Sequence, residues 1–188
     1  MWIFGYGSLI WRPDFPFLES HKARLQGWIR RFYQGSPDHR GVPDAPGRVV
    51  TLLQQEQGFC DGRVYKVAPQ TAEEIIVKLD LRESGGYQQH WVEVELCSQG
   101  KIGERVESVL LYVASPSNSN FLGADSSDAM AEQIVQSRGA SGDNTEYLLR
   151  LAEALREMGC EDEHVFSLES LVRKKLGLNN ALLEKNRI

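Results

Sequence analysis

At 188 residues, 41% of them hydrophobic and 25% charged, the chain is long enough to enclose a sizeable core and is read as one domain over 1–188. A net charge of −5 argues against the dominant basic surface that a nucleic-acid partner needs, and no apolar run reaches the roughly 20 residues of a bilayer-spanning helix. Cys60, Cys97 and Cys160 are odd in number and widely spaced. With no C-x-x-C and no export signal at Met1-Trp2-Ile3-Phe4, they fit a reducing, cytoplasmic compartment rather than a disulfide framework or a zinc site.

In chain order, the alternation of Trp2 to Tyr6 reads as a first strand, and it runs into the turn Gly5-Tyr6-Gly7-Ser8-Leu9-Ile10. Ala23 to Tyr33 reads as a second strand, in which Arg30-Arg31 is expected to be a solvated basic face. Residues 34–47 then carry three prolines and three glycines, the composition of a long, stiffened and shaped loop. Arg48 to Leu53 and Gly62 to Val67 read as separate strands. A helix from Ala72 to about Leu81 is expected to start from Thr71 as N-cap, with Glu74 completing a capping box.

Trp91 to Leu96 and Ser108 to Val113 are the last expected strands. Three helices follow, Asp128 to Ser137, Asn144 to Met158 and His164 to Leu176, with Arg173-Lys174-Lys175 as a second solvated face. Strands first and helices later define an α+β fold rather than a doubly wound sheet.

The segments that could carry chemistry are few. In Gly5 to Ile10 the missing Cβ atoms let the backbone turn sharply, so that successive amides can form a concave anion site; from spacing alone the same glycines serve equally well as a plain strand end. Ile10 stands where a third dinucleotide-site glycine would fall, and there is no phosphate-loop lysine motif.

In Leu79-Asp80-Leu81-Arg82-Glu83-Ser84-Gly85-Gly86-Tyr87 an acid sits at the expected end of a helix. There the dipole disfavours a carboxylate and would raise Glu83 toward the range of a general base, although a solvated glutamate is the commoner occupant of such a place. Tyr147 lies on the stripe Tyr147, Leu151, Leu155, Met158, so its ring is expected in the core with its hydroxyl on a backbone carbonyl or a ligand. His21, His39, His90 and His164 show no metal spacing, and Ser8 lacks a nucleophile elbow.

These segments, with Arg31-Phe32-Tyr33-Gln34-Gly35-Ser36, Asp38-His39-Arg40-Gly41-Val42-Pro43, Pro46 to Leu52 and Asn144-Thr145-Glu146-Tyr147-Leu148, resemble nearly end to end the ChaC-type, glutathione-specific γ-glutamylcyclotransferases, especially their shorter class. The resemblance implies a small mixed β-barrel with flanking helices, a carbon–nitrogen lyase that needs no cofactor and no metal, and glutathione as the small-molecule partner. It places the γ-glutamyl-binding turn on Tyr6, Gly7, Ser8 and Leu9, flanked by Gly5 and Ile10. The catalytic acid falls on Glu83. Other γ-glutamyl amino acids or amines as substrates, or a non-enzymatic binding role on the same scaffold, are the alternatives. Arg40 and Arg48 are the cations expected to meet the glycine carboxylate of glutathione.

Overall fold

The computed structural model describes residues 1–82, 86–98 and 101–178. Five strands close a barrel in the order β1-β3-β2-β4-β5: β1 (Trp2–Gly5), β2 (Glu19–Ser36), β3 (Gly47–Lys66), β4 (Tyr87–Ser98) and β5 (Lys101–Ala114). Neighbouring strands are antiparallel except at the closing seam, where β1 runs parallel to β5 with Trp2 opposite Val109 and Ile3 opposite Leu110. Closure removes the sheet edges. The α+β reading holds.

Two expectations about the strands are corrected. The strands expected at Arg48 to Leu53 and Gly62 to Val67 are one 20-residue strand, which ends at Lys66. The polar stretch 54–57 between them stays extended because it lies on the exposed outer part of the β2–β3 ribbon, where nothing demands apolar residues. The ribbon shifts register between Gln26 and Trp28, at Gly27, whose φ of +78° is a conformation that favours glycine.

Four helices flank the barrel among the described residues: α1 (Pro69–Arg82), α2 (Ser127–Gln136), α3 (Asn144–Glu157) and α4 (Glu163–Lys175). Helix α1 begins at Pro69, whose missing N–H costs nothing in a first turn, and so Thr71 is not its cap. The Thr71 hydroxyl donates to the Ala68 carbonyl, and Glu74 pairs with Lys78 at 2.7 Å instead of closing a capping box. Ile75 and Leu79 seat α1 on Ile3, Val67, Leu110 and Tyr112. Between α2 and α3 a two-stranded ribbon forms from β6 (Arg138–Gly139) and β7 (Gly142–Asp143).

Helices α2 to α4 close over the main core, which joins Phe4, Phe32, Val50 and Leu52 to Leu148, Leu151, Leu155 and Val165. The start of α3 is pinned by Asn144, fully buried, which accepts the Arg48 amide and donates to the Arg48 carbonyl, both at 2.7 Å. At the far end Glu169 is fully buried and takes hydrogen bonds from Arg156 and from Arg173, the latter at 2.9 Å. Arg173 is therefore not part of a solvated face, although Lys174 and Lys175 are exposed.

Candidate active site

The turn after β1 is held almost entirely through its carbonyls. Gly7 leads into a single 3-10 turn, Ser8–Ile10, closed by the Ile10 amide on the Gly7 carbonyl at 2.9 Å, and the Ser8 carbonyl accepts from Trp11 and Arg12. The Tyr65 hydroxyl donates to Leu9 O at 2.5 Å and to Ile10 O at 3.3 Å, and burial pushes that phenol up to about 12, so it stays a donor. Tyr6 O accepts from Arg30 Nε at 2.8 Å. Every carbonyl from Tyr6 to Ile10 is thus engaged, whereas the amides of Gly7, Ser8 and Leu9 make no hydrogen bond to a described residue.

A trans peptide points its N–H opposite to its C=O. Fixing Tyr6 O inward on Arg30 therefore turns the Gly7 N–H away from it. Arg30 is only 2% exposed, and its guanidinium also donates to Asp61 O at 2.5 Å and to the Asp162 carboxylate at 2.6 Å. The expectation of a solvated Arg30 is corrected: the residue occupies the same inward-facing period as Phe32 and Gln34 and is buried because three acceptors surround it.

Beside the turn opens a cavity of about 670 Å³. Of the residues expected in the site, Ser8 and Tyr147 line it. Gly5 closes β1, and a Cβ there would stand 2.7 Å from the Leu9 Cβ. The Tyr6 ring is buried with its hydroxyl on Tyr112 O at 2.8 Å, the Ile10 side chain lies in the core, and Leu9 packs against the smaller core under α1. The Tyr147 ring, 7% exposed, packs edge-on against Trp11 and Phe32. A Cβ on Gly7 would meet its hydroxyl at 2.8 Å, so glycine is what lets the phenol lie over the turn.

Arg12, Arg40, Arg82 and Arg150 line the cavity, and two of them are held by named partners across it. Arg82, the last residue of α1, donates to the Ser8 hydroxyl at 2.7 Å and lies 3.4 Å from the Asp14 carboxylate. Arg40 donates to Asp143 O and to the Glu146 carboxylate, both at 2.9 Å. Arg48 is different. It is buried and spent on Gln133 Oε1 at 2.6 Å and on the carbonyls of Phe32 and Gly123 at 3.0 Å, so the expectation that it meets a substrate carboxylate is corrected: it ties β3 to α2 and the 115–126 loop.

Glu83 lies outside the described residues. The helix leading to it is fastened at Asp80, which accepts from the Tyr112 hydroxyl at 2.6 Å and from Gln89 at 2.7 Å; these bonds hold its carboxyl below the usual aspartate range. No cysteine is poised as a nucleophile, since burial pushes Cys60 up to about 12 and also raises Cys97 and Cys160. Arg30, Asp80 and Asn144 escaped the sequence reading. Only Arg30 left a signal, its place in the period-two register.

A closed five-stranded barrel of this kind, with a glycine turn at the rim of a polar cavity, is a γ-glutamylcyclotransferase fold: a solved structure described as gamma-glutamyl cyclotransferase shares it at a TM-score of 0.53 and 18% identity, over 90% of this chain and 86% of that one. A solved yeast structure, described as a γ-glutamyl cyclotransferase specific to glutathione, matches at a TM-score of 0.84 and 30% identity, over 96% of this chain and 97% of that one. Gamma-glutamylcyclotransferase 2-3 of Arabidopsis thaliana is 41% identical over 97% of this chain and 93% of its own length. Glutathione-specific gamma-glutamylcyclotransferase 1 of Homo sapiens is 42% identical over 92% of this chain and 78% of its own. The family model described as ChaC-like protein matches residues 1–175, and the chain belongs to that family.

Proposed function

We propose that this chain is a γ-glutamylcyclotransferase that cleaves glutathione into 5-oxoproline and cysteinylglycine. The observation that carries the substrate is the 42% identity to the human enzyme named for glutathione, over 92% of the chain. The α-amine of the γ-glutamyl group attacks its own γ-carbonyl carbon, a new C–N bond closes the five-membered lactam, and the bond to the cysteinyl nitrogen breaks. Because the nucleophile belongs to the substrate, the protein has only to fold it and to move a proton.

Glu83, next in sequence after α1, takes the proton from the amine and returns it to the departing nitrogen. The amides of Gly7, Ser8 and Leu9 bind the substrate carboxylate, as successive backbone amides do in anion nests. Gly5, Tyr6 and Ile10 serve by shaping that turn, and the Tyr147 hydroxyl reaches the substrate from above Gly7. Of the two arginines expected to meet the glycine carboxylate, Arg40 is the one that lines the cavity and is assigned that role. The chain acts as one domain in a reducing, cytoplasmic compartment. Among the described residues no helix is long and apolar enough to cross a membrane.

The test is incubation of the purified protein with glutathione and detection of both products by mass. Glu83→Gln, which keeps the shape and loses the base, is expected to lower kcat/KM by about 10²- to 10⁴-fold with an unchanged Tm. Activity within tenfold of wild type, on the same scale, would remove Glu83 from the mechanism.

A further inference from the structure

Gln34, near the end of β2, is 1% exposed and lines the cavity. Its amide orientation is fixed by a chain of contacts. The Asn120 backbone N–H donates to Asn118 Oδ1 at 2.7 Å, which makes that oxygen an acceptor. Gln34 Nε2 donates to the same oxygen at 3.4 Å and to Gly35 O at 3.2 Å. Turning the amide over would set oxygen against two oxygens, so the assignment of nitrogen and oxygen stands.

Gln34 Oε1 is therefore the free end, and it is a buried acceptor with no donor among the described residues. Buried polar atoms are nearly always paired, because an acceptor shut away from water loses its hydration without return. The cavity beside it is where a ligand would supply the missing donor. We infer that Gln34 Oε1 accepts an N–H of the substrate's γ-glutamyl unit, from either the α-amine or the scissile amide, and so sets the rotation of the nucleophile or of the bond it breaks.

The inference rests on the cyclotransferase reading, whose substrate carries N–H groups on both sides of the reacting carbonyl. A cavity built to accept such a donor rejects an analogue without it, since the acceptor is then left unpaired again.

The experiment is steady-state kinetics on glutathione with wild type, Gln34→Met and Gln34→Glu, together with Tm for each. Absence of turnover by the wild type would count against the functional reading and not against Gln34. With an active wild type, Gln34→Met is expected to lose about tenfold to hundredfold in kcat/KM, the worth of one buried hydrogen bond to a ligand, whatever balance its Tm strikes between the orphan acceptor removed and the two Nε2 bonds lost. A merely structural glutamine predicts a changed Tm with kcat/KM within about threefold, and that result would overturn the inference.

Gln34→Glu keeps an accepting oxygen in the same place but sets its second oxygen against Gly35 O and Asn118 Oδ1, so a lowered Tm is expected, with kcat/KM within about tenfold where the variant is folded. Should Gln34→Met not fold, this variant decides: a loss beyond about a hundredfold, measured at a temperature where it is folded, overturns the assignment. Glutaryl-cysteinylglycine, which lacks the α-amine and cannot cyclise, separates the two donors as a competitive inhibitor. A higher inhibition constant in Gln34→Met places Oε1 on the scissile amide, and an unchanged one places it on the α-amine.

Discussion

The turn after β1 and the interface of α3 with α4 both bury charge, and they finish the task differently. At Glu169 the protein supplies both sides: a fully buried carboxylate meets Arg156 and Arg173, and each charge ends on a partner of the same chain. At the turn Arg30 and Tyr65 consume the carbonyls of Tyr6, Leu9 and Ile10, and the amides of Gly7, Ser8 and Leu9 are left without a described partner. The first arrangement is closed and can only stabilise. The second is half closed, with three amides left over in a turn whose Ser8 lines the cavity. A buried ion group thus says little about function until its unpaired remainder is found.

The comparison is tested hardest by breaking both groups. Arg30→Met leaves Asp162 unpaired and Glu169→Gln leaves Arg156 and Arg173 unpaired, and because these partners keep some contact with solvent each variant is expected to cost less in denaturant unfolding than the about 3 to 5 kcal/mol of a fully buried stranded charge. They should part in activity. Under conditions where both remain folded, Glu169→Gln is expected to keep wild-type kcat/KM on glutathione, whereas Arg30→Met, having released the Tyr6 carbonyl, should lose at least about tenfold. Equal activity in the two variants would show that the turn holds its shape without Arg30.

A smaller effect should come from pH at the joint between the two regions. His164 on α4 accepts the Phe32 amide at 3.0 Å, and burial, followed by the charge of Arg31 and then of Arg30 and Arg48, outweighs Asp162 and draws its pKa from 6.5 down to about 4. The unfolded chain binds this proton near pH 6.5 and the folded chain only near 4, so stability is complete above the first value and falls as pH drops between the two. The loss should approach the order of 3 kcal/mol by pH 4. Urea unfolding of wild type and His164→Asn at pH 7 and pH 4.5 checks this, because the variant should show the shallower dependence.

The smallest effect is expected at Glu74, exposed on α1 and paired with Lys78 among the described residues. Glu74→Gln should leave Tm and turnover within measurement error, since an exposed pair of this kind adds little. A clear drop in Tm would restore the capping role that the structure denies it.

The sequence by itself determined the features that short-range physics writes into a pattern. Period-two runs announced the barrel strands, helical spacing placed Tyr147 on a buried stripe, and the glycines after β1 marked a turn that no side chain could crowd. What only the tertiary structure decided were the partners of polar groups. Pattern could not join 48–53 to 62–67 across an exposed polar stretch, nor tell the buried Arg30 and Arg48 from Arg40 at the cavity, because burial of a charge depends on acceptors brought from elsewhere in the chain. Asp162 lies 132 residues from Arg30 and Gln133 lies 85 from Arg48. Hydrophobic periodicity is local and so survives in the sequence, whereas the satisfaction of a buried donor or acceptor belongs to the folded arrangement as a whole.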